Sequence, residues 1–108
     1  MKNRYDLTSP VDSSTLMSHL RDDFPELRPR RNVFGNFVLK VRFDITVIFC
    51  LRRASVRIYT THPLWYAFFV PRGGMGFADD EKRHYLGIYA KWFTLRYRDS
   101  IAASRAEP

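Results

Sequence analysis

The clearest pattern in the chain is the alternation of apolar and other residues between positions 37 and 51. Every odd position in this stretch is apolar, whereas the even positions include Lys40, Arg42 and Asp44. Successive side chains of a β-strand point to opposite faces of a sheet, so a period of two predicts strand structure with one apolar face. The stretch is longer than most single strands. It therefore forms either one long bent strand or two strands of the same parity.

A hairpin is predicted to follow, with its turn at Arg52 and Arg53. Two arginines do not suit the common two-residue turn, in which both residues need a positive φ. We therefore predict a four-residue loop over residues 51–54, closed by Cys50 opposite Ser55. The strand after the loop keeps the parity of the strand before it, which supports this pairing. Residues 64–70 are apolar or aromatic throughout and form a further candidate strand.

One helix is predicted on each side of these strands. The first spans residues 10–23, because Ser9 suits the N-cap, Pro10 suits the first turn, and apolar residues then recur at helical spacing. The second begins at the acidic residues 79–81, whose charge complements the helix dipole, and continues to about Ala103. Its polar residues form one narrow stripe, which leaves an apolar face wider than a surface helix needs.

This order of elements, α-β-β-β(-β)-α, predicts an α+β fold with an antiparallel sheet and both helices on one of its faces. A length of 108 residues suits one domain. We expect that domain to span residues 1–108, with frayed ends at 1–8 and 104–108. The connector over residues 25–32 contains two prolines and three arginines. It is expected to run extended across the surface, since proline excludes it from a central strand.

The basic charge of the chain is concentrated in its middle. The formal net charge is +7, and residues 28–72 alone contain nine bases and one acid, Asp44. Arginine outnumbers lysine by 14 to 4, and a guanidinium group binds phosphate or carboxylate through two parallel hydrogen bonds. The bias indicates an anion-binding surface; the alternative is a compositional preference for arginine without a function.

A nucleic-acid interface is the function that this charge favours most. If both helices cover the odd-numbered face of the sheet, the other face presents basic side chains around an aromatic ring. Basic side chains bind phosphates, and an aromatic ring stacks against a nucleobase. We expect a non-enzymatic protein that contacts a nucleic-acid backbone with weak sequence preference; a solvated sheet face without a ligand is the alternative. The residues predicted to make these contacts are Arg28, Arg30, Arg31, Lys40, Arg42, Arg52, Arg53, Arg57, Tyr59 and Arg72.

A protein–protein interaction module, such as an adaptor or an inhibitor of an acidic partner, is the second hypothesis. Aromatic residues make up 16% of the chain, and tryptophan, tyrosine and arginine are typical interface anchors. A homodimer joined through the last helix would account for its wide apolar face, as would burial in the domain's own core. The predicted interface residues are Tyr85, Tyr89, Trp92 and Phe93. Binding to a membrane surface is disfavoured, because the basic and aromatic residues do not share one helix.

Catalytic and metal-binding patterns are weak, so neither an enzyme nor a cofactor or metal is expected. The glycine-rich segment at residues 72–76 lacks the spacing of a phosphate-binding loop, and the acids after it would repel an anion. The three histidines are scattered, and Cys50 lies in an apolar run where a thiol is inert. A single cysteine excludes an intrachain disulfide framework. With neither a secretory signal nor an apolar run of membrane-spanning length, the expected location is the cytoplasm.

Overall fold

An antiparallel sheet of five strands and two helices form the described part of the fold. A computed structural model describes residues 2–62 and 76–101, with the backbone alone for Lys2 and residues 76–79. The strands follow the spatial order β1-β5-β4-β3-β2. The elements are β1 (Lys2–Asp6), α1 (Ser13–Asp23), β2 (Arg30–Arg31), β3 (Phe37–Arg42), β4 (Ile45–Leu51), β5 (Ser55–Thr61) and α2 (Gly76–Arg96). The predicted α+β class is confirmed, with both helices packed on the same face of the sheet.

The alternating stretch over residues 37–51 is two strands rather than one. Strands β3 and β4 pair as a hairpin, and their odd positions lie opposite one another, so their apolar side chains share a face. The register shifts between Lys40 and Arg42, and the turn follows at Phe43 and Asp44. Phe43 is consequently 65% exposed, although its odd position predicts burial. Alternation alone does not reveal where the chain leaves the strand, and the odd positions of β4 return to the buried face after the turn.

The hairpin of β4 and β5 is present, but its predicted register is wrong by two residues. Cys50 pairs with Arg57 rather than with Ser55. The Arg52 N–H donates a hydrogen bond of 2.8 Å to the Ser55 carbonyl, which leaves a two-residue turn at 53–54. Neither turn residue has a positive φ, so the objection to arginine in the common two-residue turns does not apply. Because the shift is two residues, every side chain stays on the face predicted for it.

The N-terminal segment is part of the sheet, so the prediction that residues 1–8 are frayed is wrong for most of them. Strand β1 pairs with β5 along its whole length, and Tyr5 lies opposite Val56. Beyond the strand, the Leu7 N–H donates to the Ala54 carbonyl at 2.8 Å, and Leu7 bridges to Ile101. The free edge of β5 supplies this pairing, and local sequence gives no sign of such a partner.

Helix α1 begins three residues later than predicted, because Asp12 replaces Ser9 as its N-cap. The Asp12 carboxylate accepts hydrogen bonds from the Ser14 hydroxyl and from the Thr15 N–H, the latter at 3.1 Å. These hydrogen bonds lower the pKa of Asp12 below its ordinary value, and the bond from Ser14 has the largest effect. The carboxylate therefore remains ionised at neutral pH. The Ser9 hydroxyl instead donates to that of Ser100 at 3.2 Å.

The core lies between the sheet and the two helices, and α2 contributes Tyr89 and Phe93 to its buried aromatic residues. Phe93 is fully buried, and its ring stacks on Tyr97 with a centroid distance of 4.8 Å. Ile88 and Leu95 are the large apolar side chains of α2 that are exposed among those described, at 43% and 56%. The helix ends at Arg96, earlier than predicted. Its wide apolar face is therefore used mainly by the domain's own core.

The burial of Tyr97 gives this packing a signature at alkaline pH. Desolvation raises the pKa of Tyr97 from 10.0 to about 12, and the hydroxyl lies 2.7 Å from Nδ1 of His19. Since the folded pKa is the higher one, the stabilisation is complete below pH 10 and is lost as the pH rises through about 12. In an absorbance titration, Tyr97→Phe should remove the latest tyrosinate step. An unchanged titration curve in that variant would contradict this assignment.

Several sequence predictions lie outside the described residues. They are the candidate strand at 64–70, Arg72 with the glycines that follow it, and the frayed tail at 104–108.

Candidate nucleic-acid interface

The face of the sheet opposite the helices carries the even positions of β3 and β4 and the odd positions of β5. A central row runs across it from Tyr59 to Ile48 and on to Val38, each paired with the next. In the neighbouring row on one side, Lys40 pairs with Thr46 and is exposed. The face thus has an apolar and aromatic centre with a cation beside it.

The row on the other side of this centre is more strongly basic. Arg57 pairs with Cys50 on β4 and with Arg4 on β1, so two arginines stand opposite one another on the same face. Arg57 is exposed, whereas Cys50 is buried. Arg4 lies 3.5 Å from Asp6, so its charge is partly offset, and Arg57 has no such neighbour among the described residues.

A shallow depression on this face gathers three of the predicted site residues. Arg52, Arg57 and Tyr59 line it together with Asn36, and its volume is about 400 Å³. Within the described part of the chain, no carboxylate lies within ion-pair distance of Arg52 or Arg57. Two unpaired guanidinium groups beside a partly buried phenol ring can bind phosphates and stack a nucleobase.

A second depression lies at the same end of the sheet, on the other side of the β4–β5 turn. It has a volume of about 620 Å³, and its walls are the residues before and at the start of α1, one residue of β2, and the turn itself. Its lining includes three predicted site residues, namely Arg31, Arg52 and Arg53. Arg52 lines both depressions, so this residue connects them.

Arg42 does not join these residues, which corrects the sequence prediction. Its guanidinium lies 2.9 Å from the Asp44 carboxylate and also pairs with Glu81 of α2. It further lies over the Phe43 ring at 5.6 Å. With two carboxylates at its head group, Arg42 fastens the β3–β4 turn to the helix and offers no free charge to a phosphate.

The remaining predicted cations lie around the β2 edge of the sheet. Arg28 follows the 3₁₀ turn Pro25–Leu27 with a left-handed φ of 50°, and Arg30 pairs with Val38 at the sheet edge. Both are exposed. The connector is therefore a turn followed by a short edge strand, rather than extended throughout.

The loop after β2 holds two exposed apolar residues that the sequence reading missed. Val33 is 93% exposed and Phe34 is 83% exposed. The Asn32 side chain accepts hydrogen bonds from the N–H groups of Phe34 and Asn36, at 2.9 and 3.0 Å, and Gly35 adopts a φ of 81°. Asparagine and glycine at this spacing are typical of a turn. Asn32 and Gly35 therefore predict a turn that places Val33 and Phe34 outside the sheet.

The predicted partner-interface residues lie in or beside the core. Phe93 and Tyr89 are buried, at 0% and 7% exposure. The Trp92 indole N–H donates to the Asp23 carboxylate at 2.6 Å, and Tyr85 is partly buried. Tyr89 and Phe93 therefore have almost no surface to offer a partner, whereas Tyr85 and Trp92 remain partly exposed.

No family model matches this chain, and neither a curated protein nor a solved structure is similar to it at a significant level. Among the described residues, no three histidine, cysteine, aspartate or glutamate side chains are grouped so that they would hold a metal ion. In the same part of the chain, no helix has the length and apolar character needed to cross a membrane. A functional assignment therefore depends on the chemistry of the open sheet face.

Proposed function

We propose that this protein binds single-stranded nucleic acid on the face of its sheet opposite the two described helices. The observation that carries this proposal is the depression in which Arg52 and Arg57 stand beside Tyr59. The guanidinium groups contact phosphates, and the phenol ring stacks against a base. Every base has a π-face, so binding of this kind has little sequence preference.

A single strand fits this surface better than a duplex does. Both described helices pack on the opposite face of the sheet, so neither stands beside Tyr59 to enter a major groove. Stacking on the Tyr59 ring requires a base that is not already stacked on both sides, as in a single strand. Ile48, which pairs with Tyr59 and is also partly exposed, lies beside the ring on the same face, whereas Val38 beyond it is buried.

The charge around this face favours a polyanion. Residues 28–62 contain eight bases and one acid, and that acid, Asp44, is paired with Arg42. A surface with one sign of charge attracts the oppositely charged ligand over a distance of about one Debye length, roughly 8–10 Å at physiological salt. Association should accordingly be fast and sensitive to salt.

The salt dependence of binding tests the proposal. A labelled oligonucleotide of mixed sequence, titrated with the protein at salt concentrations from about 50 to 200 mM, should bind with an affinity that falls steeply with salt. The logarithmic slope is about −0.7 for each phosphate contacted in a single strand, so two arginine contacts give at least about −1.4. The same sequence as a duplex should bind more weakly. Absence of binding at the lowest salt, or an affinity that ignores salt, would contradict the proposal.

A protein partner at the tip of Val33 and Phe34 is the second candidate. Both side chains are almost fully exposed on a turn fixed by hydrogen bonds, and Arg30 and Arg31 precede them. An acidic partner with an apolar pocket suits this combination. A complex that persists at high salt would indicate such a protein partner rather than nucleic acid, because salt does not screen the burial of apolar surface.

A further inference from the structure

The second depression lies next to the proposed binding face and shares Arg52 with it. The first residues of α1, including Asp12 and Ser13, form its far wall. Its volume of about 620 Å³ is in the range of small-ligand pockets, roughly 300–1,000 Å³. A strand that lies on the sheet face and passes Arg52 would therefore leave that face at the β4–β5 turn to reach this depression.

Backbone hydrogen bonds hold the arginine turn of this depression from two sides. Across the hairpin, the Arg52 N–H donates to the Ser55 carbonyl at 2.8 Å. From β1, the Leu7 N–H donates to the Ala54 carbonyl, also at 2.8 Å. The turn that carries Arg53 is thus fixed at both flanks. A fixed backbone limits the positions that the two exposed arginine side chains can reach, so no backbone entropy need be lost at this turn when they bind an anion.

Arg31 enters the same depression from β2 with its guanidinium already held in place. It donates to the Gly35 carbonyl through two nitrogens, at 2.9 and 3.2 Å, and it lies 4.9 Å from the centre of the Phe37 ring. These bonds use two of the five N–H groups of a guanidinium. The other three remain for a ligand.

The charge of this depression suits a dianion. Three guanidinium groups and the Asp12 carboxylate line it, which leaves about two net positive charges. A phosphodiester within a strand carries a single negative charge, whereas a phosphate monoester carries about −1.5 to −2 at pH 7. The Asp12 carboxylate is occupied by bonds from Ser14 and Thr15, so the arginines supply the free hydrogen-bonding groups.

We propose that this depression binds the terminal phosphate monoester of a nucleic-acid strand whose following nucleotides lie on the sheet face. Arg53 and Arg31 hold the terminal phosphate, and Arg52 lies between it and the stacked base at Tyr59. The inference rests on the proposed function and adds to it a preference for strands with a phosphorylated end.

One oligonucleotide prepared with a 5′-phosphate, with a 3′-phosphate and with neither tests this inference. The dissociation constant of each is measured by fluorescence anisotropy with an internal label. One phosphorylated form should bind about tenfold more tightly than the form without a terminal phosphate, and tenfold corresponds to about 1.4 kcal/mol. Arg53→Ala should abolish that difference between the phosphorylated and unphosphorylated forms. Arg57→Ala is the matched control, since Arg57 lines the other depression alone; it should weaken all three forms equally.

The outcomes separate this site from the proposed function. Equal affinities for the three forms, with salt-sensitive binding intact, would overturn the terminal-phosphate site and leave the sheet-face function standing. No binding of any form would overturn both. A nucleoside monophosphate that binds as tightly as the phosphorylated strand would show a small-molecule phosphate site and would overturn the assignment to a strand end.

Discussion

Replacing Phe93 with alanine is expected to lower the free energy of unfolding by about 3–5 kcal/mol. The side chain has no exposed surface. Its ring lies 4.8 Å from that of Tyr97, 6.0 Å from that of Tyr5 and 6.2 Å from that of Phe49, measured between centroids. Tyr5 and Phe49 come from two different strands and Tyr97 follows the end of α2, so no single rearrangement fills the space that alanine leaves. The loss is a large part of the stability of a small domain, which is about 5–15 kcal/mol.

The matched control for this variant is Leu95→Ala on the same helix. Leu95 is 56% exposed, so its truncation should change the free energy of unfolding by less than about 0.5 kcal/mol. Urea titrations followed by circular dichroism compare the two variants. If Phe93→Ala left stability unchanged but altered the molar mass in solution, Phe93 would belong to an interface between chains, contrary to its place in this core.

The strands that the sequence predicts are those in which apolar side chains alternate. Alternation assigns the odd positions of residues 37–51 to one face, and this assignment holds in both strands but fails at Phe43 in the turn between them. Strand β1, with the sequence Lys-Asn-Arg-Tyr-Asp, has no apolar alternation. Its stability comes from its neighbour β5, and a pairing partner is not visible in a local pattern.

The candidate site was predictable for a related reason. Arg57 and Tyr59 share parity on β5, and Arg52 follows β4 with the parity of the same open face. The register error of two residues moved their partners along the strand but kept their face. The exclusion of Arg42 was not predictable, because Glu81, one of its two ion-pair partners, lies on a helix far along the chain.

The aromatic residues of α2 show where helical periodicity stops being informative. A wide apolar face is expected both of a helix that packs on a sheet and of one that joins two chains. Only the position of the sheet decides between these, and here it covers Tyr89 and Phe93 while Ile88 and Leu95 remain exposed.

Replacing both Arg52 and Arg57 with alanine is expected to weaken nucleic-acid binding about a hundredfold or more at low salt. A hydrogen bond to a charged group contributes about 1.5–3 kcal/mol, so the loss of two corresponds to a factor of at least that size. The logarithmic salt slope should become shallower by about 1.4, since two phosphate contacts are lost. Both side chains are exposed and lack an ion-pair partner among the described residues, so stability should change by less than about 0.5 kcal/mol for each.

The control must lose the same charge elsewhere on the molecule, and Arg83→Ala combined with Lys91→Ala does so. Both residues are exposed on α2, the helix that packs on the other face of the sheet. A site on the open face requires this control to bind nearly as well as the unaltered protein. Equal weakening in both double variants would mean that net charge alone attracts the nucleic acid, and the site would be wrong. Two substitutions of Tyr59 then distinguish the contribution of stacking from that of charge. Tyr59→Phe keeps the ring and should retain affinity. Tyr59→Ala should lose about 1–3 kcal/mol of binding free energy, with an unchanged salt slope.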